Sequence, residues 1–136
     1  MNNNYFYPFN NYFNLNEDNT NLNLYGPYEG YLKGNLFKNL YEEYKKYKPV
    51  SLSFSTEKEE KLFNINQICF AMHELNLLLD IYPNDKNIIK KYVDYQNLEA
   101  TLQKEYEEEY GPLNTSSINN TTPFEWVNTP FPWEVN

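Results

Sequence analysis

Pro83-Asn84-Asp85 splits the longest helix-compatible stretch of this chain into two parts of similar length, and that break constrains the fold more than any other feature. Upstream, Thr56 and Glu59 have the spacing of a capping box, with the threonine hydroxyl accepting from the Glu59 N–H and the carboxylate reaching back. Glu57, Glu59 and Glu60 suit the positive end of a helix dipole. Ile65, Ile68, Met72, Leu75 and Leu79 then share one helical stripe, with Ala71 and Leu78 beside it. A residue before proline is pushed out of helical geometry, so this helix ends at Tyr82. Asn84-Asp85 supplies a fresh N-cap. Ile88, Tyr92, Tyr95, Leu98 or Glu99, Leu102, Tyr106 and Tyr110 continue at spacings of three and four, up to the Gly111-Pro112 stop. The expected fold is all-α: an antiparallel helical hairpin of about 57–82 and 86–110.

The flanks read differently. Residues 1–24 are a low-complexity Asn/Tyr-rich tail, from Tyr5-Phe6-Tyr7-Pro8-Phe9 onward, without a sustained period. Within 25–55, Gly26-Pro27, Gly30 and Gly34 mark turns. Leu36, Phe37, Leu40, Tyr41, Tyr44 and Tyr47 then predict a short amphipathic helix that Pro49 stops. Val50, Leu52 and Phe54 alternate along an extended linker. The hairpin with its stop fills 56–112. In 113–136, an Asn/Ser/Thr-rich stretch leads to Phe124, Trp126, Phe131 and Trp133, spaced by prolines that exclude a regular helix or a central strand. Both tryptophans of the protein lie in that tail.

Composition excludes several functions. The net charge is -8 and no arginine is present, which argues against nucleic acid and against an acidic membrane surface. Apolar runs such as Leu77-Leu78-Leu79 are too short to span a bilayer. The first residues, Met1-Asn2-Asn3-Asn4, have neither a basic nor an apolar secretory region, so use in the cell that makes the protein is expected. A single cysteine, Cys69, excludes an intrachain disulfide framework and a cysteine-based zinc site.

The first long helix has more apolar surface than one neighbour can bury. A second stripe, Phe63, Phe70, Leu77 and Ile81, lies about half a turn from the first. An antiparallel partner covers only one side of a helix. Either the chain's own flanks cover this stripe or another molecule does, and exposed apolar patches of that kind mark interfaces. Large aromatic residues dominate binding hot spots, so the C-terminal Phe124, Trp126, Phe131 and Trp133 join the candidate partner surface, with Phe37 and Tyr41 upstream.

Chemistry has one candidate constellation. Cys69, His73, Asn76 and Asp80 line one helical face, the wedge between the stripes. A structural zinc site takes four protein ligands and a catalytic one usually three, and His73-Glu74 lacks the second histidine of a paired motif. A polar seam is the simpler reading; a small metal-binding or redox protein using Cys69, His73 and Asp80 is the rival. Glu105, Glu107, Glu108 and Glu109 read as a solvated acidic face. No phosphate loop or nucleophile elbow is present, so no enzyme activity and no cofactor are expected. The 14 tyrosines leave a third reading, cross-linking sites in an assembled material.

Three blocks together resemble the CotJB spore-coat family. Ala71 through Asp85 is similar to its "ELxLYLDTHPxD" block, Tyr110-Gly111-Pro112-Leu113 to its "YGPL" helix ending, and Trp126 through Glu134 to its Trp/Pro-rich terminus. There Phe124 and Phe131 stand where tryptophan is expected. Tyr28 through Tyr44 is similar to the core of the companion CotJA family, with Phe37 in place of tryptophan, so the chain looks like an A-type and a B-type component fused. The resemblance implies synthesis in the mother-cell cytoplasm and deposition in the inner spore coat. It also implies a manganese-catalase-type partner of the CotJC kind; self-association is expected separately, through the second stripe and the aromatic tail.

Overall fold

The computed structural model describes residues 23–42, 45–48, 50–118 and 122–128. Three α-helices follow in order: α1 (Pro27–Lys33), α2 (Glu57–Ile81) and α3 (Lys86–Tyr110), with 3-10 turns at Thr115–Ser117 and Glu125–Asn128. Helices α2 and α3 form the hairpin, and α1 packs on α2. Among the described residues there is no strand, only an isolated antiparallel bridge between Leu24 and Phe37.

The hairpin forms where the sequence places it. Thr56 caps α2 through a complete capping box, its side chain accepting from the Glu59 N–H at 3.2 Å. Asp85 caps α3, accepting from the N–H groups of Asn87 at 2.8 Å and Ile88 at 3.2 Å. These bonds satisfy N–H groups that a helix start leaves without an intrahelical acceptor. Ile68, Ala71, Leu75 and Leu78 of α2 then close over Ile88, Tyr95 and Leu98 of α3, with Met72, Leu79, Tyr92 and Leu102 at the margin.

The segment before α2 completes the core. Leu36 is fully buried in the same cluster, with Leu24 and Phe37 packed beside it. Burying one such side chain contributes about 1.5–3 kcal/mol. Tyr25 donates its N–H to the Leu36 carbonyl and Lys38 to that of Asn23, both at 2.9 Å, which ties residues 23–25 to 36–38. Asn35 pins the turn, accepting from the Phe37 N–H at 2.8 Å and donating to the Phe37 carbonyl at 2.7 Å.

The short N-terminal helix exists, but at Pro27–Lys33 rather than over 36–47, where none of the described residues is helical. Pro27 stands at its start, where a missing N–H costs nothing. Gly34 ends it at φ 66°, in the left-handed conformation that favours glycine. The spacing of Leu36 and Phe37 reflects anchoring in the core, not a helical face. The alternation of Val50, Leu52 and Phe54 gives no strand; only Phe54 is partly buried.

Candidate functional site

The second apolar stripe of α2 is divided along its length. At its N-terminal end Phe63 is only 7% exposed, and three rings from the preceding segment surround it. Tyr28 and Tyr31 of α1 meet it edge-on at centroid distances of 5.8 and 5.2 Å, and Phe54 lies tilted at 5.0 Å. Tyr31 also meets Phe70 edge-on at 5.8 Å. Edge-to-face pairs add about 0.5–1.5 kcal/mol each beyond their area. The chain's own flank thus covers the first half of the stripe.

The second half is open. Leu77 is 48% and Ile81 69% exposed, and Tyr82, the C-cap of α2, is 56% exposed. Helix α1 ends at Lys33, and the core segment that follows reaches α2 at Glu74, whose Oε2 accepts weakly from the Leu36 N–H at 3.4 Å. Beyond Glu74, towards the hairpin turn, the apolar residues of this stripe face solvent.

The other candidate contacts are spread out. Phe37 is partly buried against the core, whereas Tyr41 is exposed. Phe124 is about half exposed and Trp126 partly buried, next to Val127, which is exposed. Phe131 and Trp133 lie outside the described residues. The chain beyond α3 turns back onto it: Gln103 Nε2 donates to Glu107 at 2.9 Å and to the Ser117 hydroxyl at 3.2 Å, and Glu107 accepts from the Leu113 N–H at 2.9 Å.

Cys69, His73, Asn76 and Asp80 share an exposed face of α2. Among the described residues no three His, Cys, Asp or Glu side chains are grouped so as to hold a metal ion. Partial burial, and then the Glu99 carboxylate, hold the Cys69 thiol above its ordinary pKa, which disfavours the reactive thiolate. Glu99 is itself raised, by burial first and by Glu107 second. At the open end of the hairpin Lys61 bonds Glu109 and pairs with Glu57 at 3.1 Å, linking the start of α2 to the end of α3. Glu109 is held below its usual range by Lys61 and Tyr110, and its bond raises the Tyr110 phenol to about 12.

Two buried polar residues escape a reading by apolar stripes. Asn64 and Gln67 are 8% and 2% exposed, and Gln67 Nε2 donates to Asn64 Oδ1 at 2.9 Å. Gln67 sits on the wheel between the two stripes, so covering both seals it in as well. That position was the available signal.

Among the described residues no helix is long and apolar enough to cross a membrane. Compared with known families, residues 59–134 match the model of the CotJB protein family, more than half of the chain. The stretch 28–44, expected from its sequence to resemble CotJA, lies outside that match, which gives it no support. Comparison with curated proteins and with solved structures found no significant match.

Proposed function

This chain belongs to the CotJB family and is related to the spore coat, and on that premise we propose that it is a non-enzymatic assembly component. It binds a manganese-catalase-type coat protein, and a second copy of itself, through the open end of the α2 stripe and the C-terminal aromatic tail. The observation that carries this reading is the exposure of Leu77, Ile81 and Tyr82 at the end of a stripe whose first half is covered. Surface of this kind gains free energy by being removed from water, and does so without any reaction.

The resemblance of residues 28–44 to CotJA favours reading 25–55 as an A-type segment fused to the B-type hairpin. The way Tyr28, Tyr31 and Leu36 dock on α2 suits two associating pieces joined into one chain. Synthesis in the mother cell and a place in the inner coat belong to the same proposal, and membership of the CotJB family supports them.

Co-expression with a manganese-catalase-type coat protein, followed by affinity capture, tests this function. The full chain retains the partner, and a chain cut after Thr122 retains clearly less. Capture of no partner by the full chain contradicts the reading, and equal capture by the cut chain removes the tail from it.

A further inference from the structure

We propose that the cleft lined by the end of α1, by Tyr41, Glu42 and Tyr47, and by Glu74 of α2 binds an arginine side chain presented by another protein. The inference rests on the reading of this chain as a protein-binding component and names one chemical group that its partner supplies.

The cleft has a volume of about 380 Å³, and its lining includes Tyr25, Tyr41, Tyr47, Lys33, Glu42 and Glu74. Ligand pockets run from about 300 Å³ upward, so this one has room for a single large side chain. Tyrosine faces attract cations, and the protein already uses one this way: Lys33 and Lys38 lie 4.6 and 5.6 Å from the centre of the Tyr25 ring. The Tyr41 and Tyr47 rings in the lining offer the same chemistry. The Tyr47 hydroxyl donates to the Leu32 carbonyl, which anchors that ring to α1.

The lining holds two carboxylates, Glu42 and Glu74, and one ammonium, Lys33, which is also paired with Glu29, outside the cleft, at 3.8 Å. The one bond Glu74 accepts from the backbone, at 3.4 Å, leaves capacity on its carboxylate for a second donor. A guanidinium suits this combination better than an ammonium, because its planar fork bonds carboxylates while its face stacks on aromatic rings. The chain contains no arginine, so a second copy of itself cannot supply the group.

Titration of the full chain with N-acetyl-arginine methylamide, followed by NMR of the tyrosine rings, tests the proposal. The expected result is saturable shifts at Tyr25, Tyr41 and Tyr47, with the lysine and the uncharged citrulline analogues binding at least about tenfold more weakly. Glu42→Gln with Glu74→Gln weakens arginine binding by a similar factor at unchanged helicity, because the amide oxygen introduced on α2 still accepts from the Leu36 N–H. Citrulline binding as well as arginine, lysine binding better, or no shift at these rings overturns it. The probe is a free amino-acid derivative, so this result is independent of whether the catalase-type protein is captured.

Discussion

Tyr31 stands edge-on to Phe63, ring centroids 5.2 Å apart and planes at 89°, and through this contact the N-terminal segment covers half of a stripe that the hairpin alone leaves bare. Tyr31→Ala removes that ring from both Phe63 and Phe70. The expected cost is about 1–3 kcal/mol in urea denaturation, with increased binding of a hydrophobic dye. An unchanged midpoint would mean that α1 contributes nothing to the packing of α2.

Gly30 allows α1 to approach the core. A Cβ there would lie 3.1 Å from Leu36 Cδ1, and Leu36 is completely buried. Gly30→Val has to displace Leu36 and is expected to lose about 1–3 kcal/mol through overpacking. Gly30→Ala gains helix propensity, up to about 1 kcal/mol, against a clash of a few tenths of an ångström, and should leave the denaturation midpoint nearly unchanged.

The hairpin could be read from the sequence because its signals are local. A capping box, a proline stop and an aspartate cap each act within a few residues, and α2 and α3 begin and end within a residue of where these place them. Leu36 is the opposite case. Its position four residues before Leu40, with Phe37 four before Tyr41, mimics a helical face, yet a tertiary anchor and the Asn35 turn hold it. Spacing alone cannot distinguish an anchor from a stripe. Similarly, the sequence marks Phe63, Phe70, Leu77 and Ile81 as equivalent, and the reach of α1, together with Phe54, decides which of them are covered.

The division of that stripe predicts opposite outcomes for matching substitutions. Phe63→Asp buries an unpaired charge and should cost about 3 kcal/mol or more, with loss of helicity by circular dichroism. Leu77→Asp and Ile81→Asp place the charge in water and should each cost less than about 1 kcal/mol, with helicity retained.

Glu99 gives a pH signature. Its folded pKa is raised, by burial and then by Glu107, so its charged form is less favourable in the fold than in the unfolded chain. Stability from this group is greatest where both states are protonated, below the ordinary carboxylate range near about 4.3, and falls as pH rises through the folded pKa. Glu99→Gln should therefore raise the melting temperature at pH 7 and make no difference near pH 3. A stabilisation equal at both pH values would show that charge is not its cause.

On the proposed function, apolar surface left open at Leu77, Ile81 and Tyr82 holds this protein in its assembly. The direct measurement is the affinity of the Leu77→Asp, Ile81→Asp double variant for a manganese-catalase-type coat protein, beside that of the unaltered chain. A loss of at least about tenfold with an unchanged helical spectrum is the predicted result. Undiminished affinity in a folded double variant would contradict it.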